Sequence, residues 1–216
     1  MKRIISPSLL AANFGDLQTD CEMINASEAA WLHIDVMDGT FVPNISFGFP
    51  VLEAVQKHCT KMLDVHLMIV NPEKYVERFA AAGAGMITFH QEATPHPLEV
   101  IKQIRKTGAK VGISINPDVD VQVLEPYVDK VDMVLLMTVF AGYGGQKFIP
   151  ESYDRIAQLC DIIRRKNANC MVQVDGGVNV ANAQSLFEAG VNVLVAGSAV
   201  FGAENPKETI HQLLNA

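Results

Sequence analysis

Two short apolar runs carry polar residues whose types suit metal binding and proton transfer. They are Leu32-His33-Ile34-Asp35-Val36-Met37-Asp38-Gly39 and Asp64-Val65-His66-Leu67-Met68. In an extended strand, side chains two apart share one face, so His33 and Asp35 point the same way, with Met37 after them. Asp64, His66 and Met68 repeat the pattern, and Met171-Val172-Gln173-Val174-Asp175 delivers one more carboxylate directly before Gly176-Gly177. Two imidazoles and two carboxylates (His33, Asp35, His66 and Asp175) suit zinc, iron or manganese, and the lack of thiolates in the set argues against a closed structural zinc. A lone histidine on a strand is more often a satisfied core group. Four ligand-type residues in register at three strand ends would be costly to bury without a cation. Asp38, before Gly39, reads as the start of a turn. Asp64 lies one layer deeper than His66 and reads as a supporting or core residue rather than a ligand.

Glycine-rich turns supply a second kind of chemistry. The chain reads Ala141-Gly142-Tyr143-Gly144-Gly145-Gln146-Lys147-Phe148, then Asp175-Gly176-Gly177-Val178-Asn179, then Ala196-Gly197-Ser198-Ala199-Val200-Phe201-Gly202 opening a short helix. Glycine lets backbone N–H groups approach an anion closely. Met37, Met68 and Met137 also fall at strand ends. Alone each would be core filler, but beside the ligand set they can wall a dry chamber around a flat, charge-delocalised intermediate.

The elements that must position these residues alternate in type. Strands are expected at Arg3–Pro7, Trp31–Met37, Met62–Met68, Met86–Phe89, Lys110–Ile115, Met133–Thr138, Met171–Val174 and Val193–Ala196. Helices are expected near Phe14–Ala26, Pro50–Lys57, Pro72–Ala82, Leu98–Thr107, Val121–Val128, Tyr153–Lys166, Val180–Ala189 and Pro206–Leu214. The strands are near-continuous apolar runs, as in parallel sheets covered on both faces. Such alternation over 216 residues predicts one α/β domain spanning 1–216, a (β/α)8 TIM barrel. An open doubly wound sheet would want a GxGxxG turn after the first strand, where Ser6-Pro7-Ser8-Leu9-Leu10 stands instead. In a barrel, strand C-terminal ends converge on one face, and the loops after strands seven and eight form a common phosphate site.

Composition narrows the partners. Hydrophobic residues make up 49% of the chain, enough for a sizeable core. The formal net charge of −7 argues against nucleic acid and anionic membrane surfaces. No apolar run approaches the roughly 20 residues that span a bilayer. Four scattered cysteines (Cys21, Cys59, Cys160 and Cys170) without a CxxC pair read as reduced thiols of a cytoplasmic protein.

Six ordered motifs make the chain resemble the ribulose-phosphate 3-epimerase family along nearly its whole length. They are Ile5-Ser6-Pro7-Ser8-Leu9-Leu10, the stretch from His33 to Asn44, Asp64 to Met68, Gly142 to Gln146, Val174 to Val178, and Val195-Ala196-Gly197-Ser198. The resemblance implies a barrel of the ribulose-phosphate-binding type that interconverts D-ribulose 5-phosphate and D-xylulose 5-phosphate in the pentose phosphate pathway. It implies one divalent ion per subunit (zinc, iron, manganese or cobalt) held by His33, Asp35, His66 and Asp175, and a homo-oligomer. It makes Asp35 the proton acceptor and Asp175 the donor, with Ser8 and His66 touching substrate. Asp175, Gly142, Tyr143, Gly144, Gly145, Gly176, Gly177, Gly197 and Ser198 then hold the phosphorylated ketose, the glycines and Ser198 mainly at its phosphate end. The family pattern has Asn-Pro where Phe140-Ala141 stands, which keeps D-allulose 6-phosphate open as a substrate, and Glu where Gln173 stands, removing one charge near Asp175. Decarboxylase or aldolase chemistry on a related barrel would want Asp-x-Lys-x-x-Asp, and the His33–Asp38 strand has no lysine. A non-catalytic phosphate-binding scaffold would have no need of the intact ligand set.

Overall fold

The structure, a computed structural model, describes residues 3–216. Eight parallel strands run β1 (Ile4–Pro7), β2 (Trp31–Met37), β3 (Met62–Met68), β4 (Ala84–His90), β5 (Lys110–Ile115), β6 (Met133–Met137), β7 (Met171–Asp175) and β8 (Val193–Ala196). They pair in the order β1-β8-β7-β6-β5-β4-β3-β2. The wall nearly closes where β2 returns to β1. There the two strands share an isolated bridge between Ser8 and His33 and a hydrogen bond from the Ala30 N–H to the Ile5 carbonyl at 3.3 Å. The helices α1 (Leu17–Asn25), α2 (Phe49–His58), α3 (Val76–Ala81), α4 (Pro97–Thr107), α5 (Ser152–Arg165), α6 (Val180–Glu188), α7 (Ser198–Phe201) and α8 (Pro206–Leu214) lie between and after them. This is the expected (β/α)8 barrel.

Local sequence explains the elements. In α4, Val100, Ile101 and Ile104 share a buried stripe, Pro97 opens the helix, and Gly108 ends it with a left-handed φ of +87°. In α5, Ile156, Leu159 and Ile162 do the same at helical spacing. Outward strand residues such as Ile34, Val65 and Ile87 join these stripes in one large core. Inward residues stack in layers. Ile4, Trp31, Met86, Met133 and Val193 close the bottom of the barrel. The polar residues Ser6, His33, Asp64 and Gln173, all 0% exposed, form the layer above.

Four differences from the expected elements stand out. Residues 121–128 form only a short 3₁₀ run, Val121–Leu124, and Pro126 lacks the N–H that would continue a helical ladder. The expected helix Phe14–Ala26 starts later, at Leu17, because the Asp16 side chain accepts from the Thr19 N–H and Oγ1 and caps it there. The segment 72–82 divides into a 3₁₀ turn, Pro72–Lys74, and α3. Strand β4 extends one residue past its expected end, which puts His90 inside the barrel.

Candidate metal centre and substrate chamber

The register of β2 and β3 sets His33 beside Asp64, Asp35 beside His66 and Met37 beside Met68. The period of two then turns all six inward. Strand β7 brings Asp175 across the barrel mouth, with Met137 of β6 as its neighbour. One ligand-capable atom from each of His33, Asp35, His66 and Asp175 lies within 4.8 Å of the other three. His33 Nε2 and His66 Nδ1 each sit 3.2 Å from Asp35 Oδ1 and 3.9 Å from Asp175 Oδ2.

The back of the cluster fixes which atoms face forward. His33 Nδ1 donates to Asp64 Oδ2 at 2.8 Å, so Nε2, buried and without a hydrogen-bond partner, is the nitrogen left facing the cluster. Asp64 Oδ2 also accepts from Gln173 Nε2 at 2.6 Å and from Ser6 Oγ at 3.2 Å. Ser8 Oγ donates to Asp35 Oδ2 at 2.6 Å, leaving Oδ1 toward the histidines. An unpartnered imidazole nitrogen beside two carboxylates and a second imidazole fits a divalent transition-metal cation.

Electrostatics supports that fit. Burial alone would lower the basicity of His33, but the charges of Asp35 and Asp64 raise it well above the ordinary imidazole value. His66 is pulled down to about 4, chiefly by burial. Burial would push Asp35 up, yet its bonds and charge interactions with His33 and His66 hold it well below the usual carboxylate range. Asp175 is pushed up to about 7, by burial first and then by the nearby Asp35 charge. Two carboxylates this close oppose each other's ionisation, and a cation between them would relieve that.

In front of the centre opens a cavity of about 400 Å³. Its wall includes Ser8, Met37, Met68, Met137, Asp175, Gly142, Tyr143, Gly144, Gly145, Gly176, Gly177, Gly197 and Ser198. All the expected substrate residues are therefore at its surface except His66, which is 0% exposed and stands behind the wall. Gly177 has a φ of +68°, and a Cβ there would stand 2.2 Å from the Phe148 backbone nitrogen. The turn after β7 thus packs against the loop after β6 in a way only glycine allows. That β6 loop reaches over the cavity to the loop after β2: Asn44 Nδ2 donates to the Gly142 carbonyl at 2.8 Å and Tyr143 OH to the Pro43 carbonyl at 2.7 Å.

Asp38 is a turn residue, as expected, accepting from the Thr40, Phe41 and Val70 N–H groups at 2.8 Å each. Asp64 supports His33, also as expected. Two features were not legible. Gln173 faces Asp64 in the layer below rather than modifying Asp175. His90 lies against the centre, its Nε2 2.9 Å from His66 Nε2; its signal in the sequence is a histidine at the inward parity of β4, hidden when the strand is ended at Phe89.

Fold and site together define a class: a parallel (β/α)8 barrel with an imidazole–carboxylate centre at the C-terminal ends of its strands, facing a glycine-lined chamber. Known proteins narrow it. The ribulose-phosphate 3 epimerase family model matches residues 4–201. The ribulose-phosphate 3-epimerase of Bacillus subtilis is 43% identical over 210 residues, covering 97% of each chain. The chloroplastic ribulose-5-phosphate-3-epimerase of Arabidopsis thaliana is 44% identical over 209 residues, covering 96% of this chain and 74% of that one. The chain belongs to the ribulose-phosphate 3-epimerase family. Among solved structures, a tryptophan synthase A-subunit from Pyrococcus furiosus superposes with a TM-score of 0.73 at 17% identity, over 100% of this chain and 98% of that one. KGPDC from Streptococcus mutans gives 0.74 at 14% identity, over 100% and 97%. At such identities these two speak for the barrel alone.

Proposed function

We propose that the chain interconverts D-ribulose 5-phosphate and D-xylulose 5-phosphate by moving a proton at carbon three. The observation that carries this reading is the pair Asp35 and Asp175, brought by β2 and β7 to one buried histidine pair and both lining the chamber. Inverting a carbon requires removing its proton from one face and returning one to the other, which two carboxylates can do and one cannot easily do. Asp35 takes the proton as the C3–H bond breaks, and the electron pair passes into a 2,3-enediolate. Asp175 then gives its proton to the opposite face of C3, re-forming a C–H bond. In the reverse direction the two exchange roles.

His33, Asp35, His66 and Asp175 would hold the metal. When bound, it supplies Lewis-acid stabilisation of negative charge on oxygen, worth several kcal/mol. Ser8 keeps the Asp35 carboxylate oriented by its 2.6 Å bond. The sulfur and methyl surfaces of Met37, Met68 and Met137 exclude water around the planar intermediate. Backbone at Gly142–Gly145, Gly176, Gly177, Gly197 and Ser198 receives the phosphate end, whose binding orients C3. Phe140 is 52% exposed and is not part of the cavity wall, so this departure gives no reason to prefer D-allulose 6-phosphate.

Four free thiols are compatible with a cytoplasmic location. No helix among the described residues is long and apolar enough to cross a membrane. Assembly into a homo-oligomer is part of the proposal, supported by exposed apolar side chains such as Phe14, Ile45 and Tyr75.

The test is turnover in D2O followed by NMR. Deuterium is expected at C3 in the wild type, with turnover reduced by roughly 10²–10⁴ in both Asp35→Asn and Asp175→Asn. Normal turnover in both single variants would eliminate the two-carboxylate scheme.

A further inference from the structure

We propose that His90 and Glu92 are positioning residues that lock the tautomer of His66 and tie the metal centre to the loop over the chamber. The inference rests on the reading of His66 as a ligand through Nδ1.

With His66 Nδ1 kept free to ligate, the hydrogen bonds leave one arrangement of protons. His66 Nδ1 faces Asp35 Oδ1 at 3.2 Å, so a lone pair offered there requires the ring proton on Nε2. The group that nitrogen meets is His90 Nε2, at 2.9 Å, with both rings 0% exposed. Two nitrogens at that distance share a single hydrogen, so His90 Nε2 must accept. His90 then carries its own proton on Nδ1, which faces Glu92 Oε1 at 3.2 Å. A carboxylate at that end accepts and cannot donate when ionised, which fixes the direction of the whole chain. The Phe41 ring, its centroid 4.7 Å from that of His90, packs on His90 from the β2 loop.

Glu92 does more than terminate the chain. The same Oε1 accepts from the Asn116 N–H and from Asn116 Nδ2, both at 2.9 Å. Asn116 Oδ1 in turn accepts from the Ala141 N–H at 3.1 Å. An unbroken path therefore runs from a ligand of the centre, through two buried rings or their bonds and one carboxylate, to the base of the loop whose Gly142 and Tyr143 reach across the chamber.

Co²⁺ added to the metal-stripped protein tests this. In the wild type, one equivalent is expected to bind, and to be lost in His66→Ala. Its proton spectrum should show a paramagnetically shifted, slowly exchanging signal from His66 Nε2–H. In His90→Leu, chelator competition should show Co²⁺ affinity weakened by about tenfold to a hundredfold, and the Nε2–H signal should vanish into fast exchange. His90→Gln, whose amide oxygen can accept from His66 and whose amide nitrogen can donate to Glu92, should restore both. Glu92→Ala should weaken binding and also speed hydrogen exchange at the Ala141 amide; it carries the test with His90→Gln should the leucine variant fail to fold. Wild-type Co²⁺ affinity and an unmoved Nε2–H signal in His90→Leu, or in Glu92→Ala, would overturn the relay while leaving the His66 ligand reading intact. Absence of stoichiometric binding in the wild type would overturn that reading and the relay together.

Discussion

Replacing Gly177 by alanine should damage the fold, whereas the same change at Gly197 should damage only binding. At Gly177 the backbone φ is +68°, and the added Cβ would lie 2.2 Å from the Phe148 nitrogen and 2.7 Å from its Cα. The left-handed conformation costs alanine about 1–2 kcal/mol, and shifting packed backbone about 1–3 kcal/mol more. For a chain of this size each kcal/mol moves the melting temperature about 2–4 °C, so Gly177→Ala should melt roughly 4–20 °C lower. At Gly197 φ is −91°, and the new methyl would meet Ala11 Cβ at 3.4 Å and Ser8 Cβ at 3.5 Å, ordinary contacts. Its melting temperature should stay within about 2 °C of wild type. That methyl does occupy the chamber wall beside Ser8, so KM for ribulose 5-phosphate should rise on the order of tenfold, about 1.4 kcal/mol. Thermal melts and steady-state kinetics on both variants decide the matter. Equal melting temperatures for the two, or a larger loss in Gly197→Ala, would refute the geometric reasoning.

Two further outcomes are expected. Asp64→Asn keeps an oxygen for His33 Nδ1 but removes the charge that accepts three hydrogen bonds, so metal affinity should fall about tenfold to a hundredfold in chelator competition. Unchanged affinity would mean that His33 is oriented by something else. On the surface, the hydrogen bond to Glu28 and then its charge raise the basicity of His211. The contribution of this pair is complete below about pH 6.5 and is lost as pH rises through the raised value. An NMR titration of Glu28→Gln should return His211 toward its ordinary value, and an unmoved midpoint would exclude the pairing.

Much of the site can be read from the chain because its information is local. His33 and Asp35 share a face by strand parity, as do Asp64 and His66, and position along the strand sets Asp64 one layer deeper. Hydrophobic runs likewise locate all eight strands. What could not be read depends on register and distance. Gln173 and Asp64 are 109 positions apart and meet only because β3 and β7 face each other across the barrel. The Tyr143–Pro43 and Asn44–Gly142 bonds span 100 and 98 positions. His90 was obscured by a single residue of strand length. At residues 121–128 apolar spacing resembles a helix, but Pro126 supplies no N–H to continue one.

The junction between β1 and β2 has a meaning beyond closure. Every other neighbouring pair of strands is laced by a run of backbone partners, while this seam has one bridge, and Ser8 reaches from it to Asp35. The thinnest stitch in the cylinder is thus sewn by Ser8 and Asp35, the side chains the proposal sets against the sugar. An ion held by His33 and Asp35 of β2 and Asp175 of β7 would then act as a clasp across this seam, so melting with and without added metal should differ.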